Sequence, residues 1–406
     1  MSPLRRLQES QLSVQALSRL ASVGVFLLAS WADTGHVALV AFQGALLAIP
    51  FTLIEALVGR PQSAGVVPRS WPVETWAARA AATVSVPVGL AGFAAVSIAL
   101  PATGVADRLV VVAPVLLQLP LEALFWAMAR TRSRRRANLV PQLVAAGTLL
   151  SAGGFALAGL RLDAAAVPAQ VAVLLWALLT RLRPAPGQHR PSLLAGVRVG
   201  AAYCTAAAVD LGYAVALPSV AGALAGPPAI VVLRAMDLAF GPFHVALSAT
   251  TREDVVAGRA ARFRTPTRAL TVALVLVISA VVITSRWARG LLSADLARAS
   301  AVAVACYAAY KIAMMVSTWL AIRHMIRAAP RRFLVSAIGS RVLAFAGLAS
   351  AVLWVRSATD LFLVLALVEV AVIGWYALRL RGTAAGAGTP RASPASARPL
   401  TARVID

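Results

Sequence analysis

Lys311 is the sole lysine among 38 basic residues, and it falls in the middle of an apolar run. Other ionisable side chains sit in equally apolar surroundings: Arg19, Glu122, Asp210, Arg234, Asp237, Arg341 and Glu369. A charged side chain within a hydrocarbon span costs about 2.5 to 3.5 kcal/mol on insertion scales, so such residues face a cavity or a partner. Their chemistry divides by sign. Arg19, Arg234, Lys311 and Arg341, with Gln15 beside Arg19, form a cationic set able to hold phosphate oxygens by charge-assisted hydrogen bonds. Asp210, Asp237 and Glu122 are carboxylates that could carry a proton or a sodium ion. Pairing is the competing use: Arg234 and Asp237 are three residues apart on one helix and placed to neutralise each other. Arg19 and Arg341 lie within reach of an interface to which a long side chain can extend, and Glu122 or Glu369 could partner Lys311.

Spacing puts these groups on stripes. Gln11, Gln15, Ser18, Arg19 and Ser22 recur at helical intervals on one face of an otherwise apolar segment, and Arg234, Asp237, Gly241, His244 and Ser248 do the same on another. Gln118 accompanies Glu122, Tyr203 and Tyr213 flank Asp210, and Tyr307 lies one turn from Lys311. The expected arrangement is one polar chamber shared by two helical bundles. His244 has no second ligand at i+4 and is read as a wall residue. Pro50, Pro87, Pro114, Pro120 and Pro242 are expected to bend their helices, with neighbours satisfying the freed carbonyls.

The elements that must hold these stripes are membrane helices. Of 406 residues, 60% are hydrophobic and 13% charged, with a mean hydropathy of +0.81; soluble domains carry about 25% charge. Apolar runs long enough to cross about 30 Å of hydrocarbon occur near 12–31, 37–58, 76–100, 109–129, 139–160, 165–180, 197–216, 229–250, 269–285, 299–321, 333–354 and 361–378. The fold expected is all-α and polytopic, about twelve transmembrane helices in two six-helix bundles. Arginines alternate along the breaks: 27 fall on one side, counting both termini, against six on the other. By the positive-inside rule both termini are cytoplasmic. This distribution also explains the net charge of +23 without nucleic acid as a partner, because the basic residues punctuate the spans instead of lining a polar face.

Arg5 and Arg6 precede an apolar stretch with no small-residue cleavage site, so the first helix is expected to stay. Cys204 and Cys306 lie inside spans and form no metal-binding spacing, and neither a cofactor nor a metal is expected. The region 184–195, with Pro184, Pro186, Gly187 and Pro191, reads as a cytoplasmic linker between lobes 1–183 and 196–381. Residues 382–406, rich in Gly, Ala, Pro, Ser and Arg, read as a disordered tail. Laying the second half over the first at a shift of about 192 positions brings Ala-Ile-Pro50-Phe51 onto Phe-Gly-Pro242-Phe243 and Glu122 near Lys311, as internal repeats in transporters do.

The segment from Gln15-Ala-Leu-Ser-Arg19 through Glu55-Ala-Leu-Val-Gly-Arg60-Pro61 resembles the start of actinobacterial polysaccharide-flippase-like proteins, and Asp210 to Asp254 resembles the start of their second half. These belong to the multidrug/oligosaccharidyl-lipid/polysaccharide exporter superfamily. The resemblance implies two six-helix lobes in a V, alternating access, and movement of a polyprenyl-diphosphate-linked glycan across a bacterial inner membrane. It implies a lipid-linked glycan, membrane lipids and glycan-assembly enzymes as partners, with Arg19, Arg234 and Lys311 at the diphosphate. The chain lacks the two extra helices of lipid II flippases. A major-facilitator-like or multidrug exporter and a polytopic glycosyltransferase are the alternatives. Against them stand the segment Gly59 to Glu74, which carries no major-facilitator gating motif, and Asp33-Thr-Gly-His36, which is too short for an external catalytic site. Nucleotide-binding and hydrolase motifs are missing from the sequence.

Overall fold

The computed structural model describes residues 11–33, 35–59, 73–131, 134–179, 193–243, 245, 265–327 and 330–385. All regular structure among the described residues is helical, and the helices are taken below in two groups that follow the expected halves. The first group holds α1 (Gln11–Ala32), α2 (Val37–Leu46), α3 (Ala48–Ile54) with a π turn at Glu55–Gly59, α4 (Val73–Ala99), α5 (Val105–Thr131), α6 (Arg134–Leu157) and α7 (Ala166–Leu179). The second holds α8 (Leu193–Ala225), α9 (Pro227–Ala239), α10 (Thr265–Thr284), the short α11 (Arg286–Leu292) and α12 (Ala294–Arg298), α13 (Ala301–Arg327), α14 (Pro330–Trp354) and α15 (Ala358–Ala385).

Among the described residues, ten helices are long and apolar enough to span a membrane, or eleven if α10 and α11, bent by 98° at their break, are counted as one span. Helix α9 is described for 13 residues, and the rest of the expected eighth span lies outside the described residues. Large apolar side chains turned outward, such as Leu90, Leu150, Leu157, Leu178 and Trp354, suit a lipid solvent, since no aqueous protein leaves so many uncovered.

Three boundaries differ from the sequence reading. The seventh span does not stop near 216: α8 runs through Pro218 to Ala225, because a proline removes one hydrogen bond without ending a helix that neighbours hold in place. Its start at Leu193 extends the second half into the expected linker, and α15 continues to Ala385, past the expected boundary at 381. The remaining linker, the tail from 386, His244 and the basic breaks at 60–72 and 246–264 lie outside the described residues.

The prolines at the matching repeat positions act alike. Pro50 clashes with the carbonyl four residues back, Leu46, where α2 ends; Pro242 is four residues after Leu238, and α9 ends at Ala239. Pro87, Pro114 and Pro120 sit inside helices that continue past them. Within the first group α4 packs on α5, α1 on α6, and α6 on α7; within the second α13 packs on α15, α14 on α15, and α8 on α14. The groups meet where α2 lies against α9 and where α8 lies along α4, α3 and the π turn.

One end of the first group is tied by charges. Arg161 holds Asp163 through Nη2 at 2.6 Å and Nε at 3.1 Å and also reaches Asp107, while the Asp33 carboxylate accepts the Leu162 amide at 3.2 Å. Hydrogen bonding from Asp163, then Asp107, raises the Arg161 pKa above its usual value and keeps it charged. Gln43 of α2 donates to the Asp163 carbonyl at 2.6 Å. Asp163 is fully buried, whereas Arg161 is about a third exposed. Removing one member of a fully buried pair costs about 3 to 5 kcal/mol; discounted for solvent at Arg161, Asp163→Ala is expected to cost about 2 kcal/mol. Asp163→Asn, whose amide oxygen still accepts one guanidinium hydrogen, should lose about half of that, both read by thermal unfolding in detergent.

Candidate functional site

Three helices bring the cationic residues together. The stripe on α1 delivers Arg19, α9 delivers Arg234 and Asp237, and α13 delivers Tyr307 and Lys311. The Lys311 ammonium is ion-paired with the Asp237 carboxylate and lies 5.5 Å and 5.2 Å from the ring centres of Tyr307 and Tyr310. Those π faces stabilise a cation that is only 5% exposed. The Tyr307 hydroxyl is 3.2 Å from the Leu233 carbonyl and 3.4 Å from Asp237 Oδ1. Arg19 donates through Nη2 to the backbone carbonyl of Asp237, so α1 of the first group is tied to α9 of the second.

Two glycines make room for the guanidinium groups. At Gly44 of α2 a Cβ would stand 2.5 to 2.7 Å from Nη2, Cζ and Nε of Arg234, and at Gly241 it would stand 2.9 Å from Arg19 Nε. Arg234 thus turns toward α2 and is 8% exposed. The direct salt bridge of Asp237 is to Lys311, while Arg234, on the same helix, lies in the space beside Gly44 and feels Asp237 only through its field. That salt bridge corrects the expected Lys311 partner, which is neither Glu122 nor Glu369.

The site therefore holds three cations around one carboxylate. The Nε of Arg19 is buried with no hydrogen-bond partner among the described residues, and no ion pair to Arg234 forms among them. The Asp237 side chain is 31% exposed, which makes this the accessible end of the cluster. Gln15, half-buried, lies one turn before Arg19.

The other candidates make their direct contacts away from this cluster. Arg341 of α14 binds Asp210 of α8 at 2.6 Å and stacks 5.2 Å from the Tyr213 ring. Its partner, not an interface, takes the charge. Glu122 is inside the first group, where Gln118 donates to it at 3.2 Å and Gln170 donates to Gln118 at 3.1 Å. Glu369 of α15 lies inside the second group, 2.7 Å from Ser317 of α13. Gly44, Tyr310 and Ser317 escaped the sequence reading: each acts through a neighbour on another helix, and only Tyr310, three residues from Tyr307, had a spacing that could have drawn attention. Among the described residues no group of three or more His, Cys, Asp or Glu side chains is gathered for a metal ion.

No protein-family model matches the chain, and no curated protein matches its sequence. Solved structures do match in fold. The MATE multidrug transporter DinF-BH in complex with R6G shares 15% identity at a TM-score of 0.61, covering 93% of this chain and 95% of that one. An outward-facing multidrug resistance MATE family transporter of the MOP superfamily shares 15% at 0.54, covering 96% and 99%. A MOP superfamily transporter from Pyrococcus furiosus, described as having a binding pocket of reverse polarity, shares 14% at 0.54, covering 93% and 94%. At these identities the likeness is one of architecture: the chain is a multi-pass membrane protein with the fold of MOP superfamily transporters.

Proposed function

We propose that this protein is a transporter of the bacterial inner membrane that moves a polyprenyl-diphosphate-linked oligosaccharide between leaflets by alternating access, with both termini cytoplasmic. The observation that carries the reading is the charge balance of the site. Arg19, Arg234 and Lys311 share one carboxylate, Asp237, and a buried Arg19 N–H has no acceptor among the described residues. Buried donors are almost always satisfied, and a site with surplus positive charge and a spare donor fits an anion. A diphosphate offers several oxygens for guanidinium groups to bridge. The position between the halves, where α1 meets α9, is where a change in their relative tilt would open or close access. Lipid-linked glycan, membrane lipids and glycan-assembly enzymes are the partners of this reading.

Proteoliposomes carrying a fluorescent polyprenyl-diphosphate oligosaccharide test it. Each hydrogen bond to a charged group contributes about 1.5 to 3 kcal/mol, so Arg19→Glu, Arg234→Glu and Lys311→Glu should each slow flipping about tenfold or more. Full flipping by all three variants would sink the assignment. Multidrug export is the second reading, favoured by the likeness in fold to multidrug transporters. It predicts efflux of cationic dyes that the same charge reversals leave intact or enhance.

A further inference from the structure

Glu369 is the one buried carboxyl in the second group, and it forms no salt bridge among the described residues. It is 1% exposed, at the centre of α15, and packed on by α13, α14 and α8. The charged and titratable groups facing it are Lys311 and Tyr310 from α13, Arg341 from α14, Asp210 and Tyr213 from α8, and Tyr376 from its own helix. Both cations are already engaged, Lys311 with Asp237 and Arg341 with Asp210. Tyr376 is taken by Ser340 at 3.0 Å.

Two hydrogen-bonding facts show what the carboxyl does. Ser317 Oγ lies 2.7 Å from Glu369 Oε2 and 2.9 Å from the Met314 carbonyl, yet a hydroxyl has one hydrogen. If it goes to Met314, the 2.7 Å contact needs a proton on Glu369, which then donates to Ser317. If it goes to Glu369, the carboxyl can be ionised, and the Met314 carbonyl still keeps Thr318 Oγ1 at 2.7 Å. Both arrangements are therefore available at one geometry. The second fact is a pair of orphans: Glu369 Oε1 and the Tyr213 hydroxyl are buried, without hydrogen-bond partners among the described residues, on helices α15 and α8 that touch.

We propose that Glu369 is a proton-exchange site whose ionised form draws the Tyr213 hydroxyl onto Oε1, so that its protonation state sets the position of α8 relative to α15. Protonated, the carboxyl donates to Ser317 and leaves Tyr213 against Phe345, 5.7 Å between ring centres. Ionised, it requires a second donor, and an ionised carboxylate lacking one is strongly disfavoured at such depth. Tyr213 is the unoccupied donor at hand. Since α8 also runs along α4 and the π turn of the first group, a shift of α8 reaches the contact between halves. The proton, not a metal cation, is the ion chosen, because one carboxyl and one hydroxyl give too few oxygens for the six or more that hard cations take. This deepens the transport reading by naming its coupling ion and rests on it only for that role.

Infrared difference spectroscopy of the purified full-length protein in nanodiscs, titrated with pH, tests the site without any cargo. The expected result is a protonated-carboxyl C=O band that titrates, vanishes in Glu369→Gln, and remains in Glu122→Gln. The Tyr213→Phe variant should shift the midpoint of that titration toward higher pH by removing the donor that favours the ionised form. A titrating band unchanged in a folded Glu369→Gln protein, or a midpoint unmoved by Tyr213→Phe, would overturn the proposal. Size-exclusion and thermal profiles of Glu369→Gln establish folding, and Glu369→Asp, which keeps the carboxyl, should retain the band. Failure of the band leaves the flipping assay unaffected, and loss of flipping specificity leaves the band unaffected, so the two readings fail separately.

Discussion

Replacing Asp237 with alanine should be the most damaging single change at the contact between halves, lowering stability by about 3 kcal/mol, the range for removing one member of a buried ion pair. The carboxylate stands among three cations: Lys311 pairs with it, Arg19 is bound to its backbone carbonyl, and Arg234 rises one turn before it. Without it, a lysine that is 5% exposed loses its ion-pair partner, and three like charges repel across a medium that screens poorly. Lys311→Met should be milder, because the Asp237 carboxylate then retains the fields of Arg19 and Arg234. Combining Asp237→Ala with Lys311→Met should recover much of the loss, since the cycle removes both partners of one pair. Thermal unfolding in detergent at neutral pH reads all four proteins. If Lys311→Met proves as harmful as Asp237→Ala, the site is not a surplus of cations and the anion-binding reading loses its basis.

The same region shows which parts of the molecule were legible from residue order. Hydropathy located spans whose described cores match the helices, because a lipid solvent leaves the backbone no alternative to internal hydrogen bonding. At the two prolines that the shift aligns, α2 ends four residues before Pro50 and α9 three residues before Pro242. Membership of the cationic site was half readable: the stripes on α1 and α9 presented Arg19 and Asp237, since helical spacing fixes which residues share a face. Partner choice was not. Lys311 meets Asp237, Arg341 meets Asp210 across 131 positions, and Arg234 settles against Gly44; each depends on how one helix is rotated against another. The i,i+3 spacing of Arg234 and Asp237 gives no sign that the direct salt bridge goes to Lys311, nor that a glycine almost two hundred residues away leaves space for the arginine.

A glycine also governs the second contact between halves, and Gly222→Val is expected to open it. An alanine Cβ at 222 would lie 2.6 Å from the Ala99 carbonyl oxygen and 2.7 Å from Ile230 Cδ1. The isoleucine tip can rotate away; the carbonyl cannot, because it is backbone at the last residue of α4, where Leu100 donates to Val96 at 2.8 Å and closes the helix end. Overpacking of this kind costs about 1 to 3 kcal/mol, the lower part of that range for Gly222→Ala and the upper for valine. The strain has a cheaper outlet than distortion of either helix, since α4 and α8 belong to different groups and can separate. Spin labels at the exposed Ala102 and Ala223 should therefore report a longer distance in Gly222→Val, with the thermal midpoint reduced. A reduced midpoint at unchanged distance would instead mean that the halves are clamped there and that the damage stays local, in which case the pivot of any alternating access lies at this contact and the movement at α2 and α9.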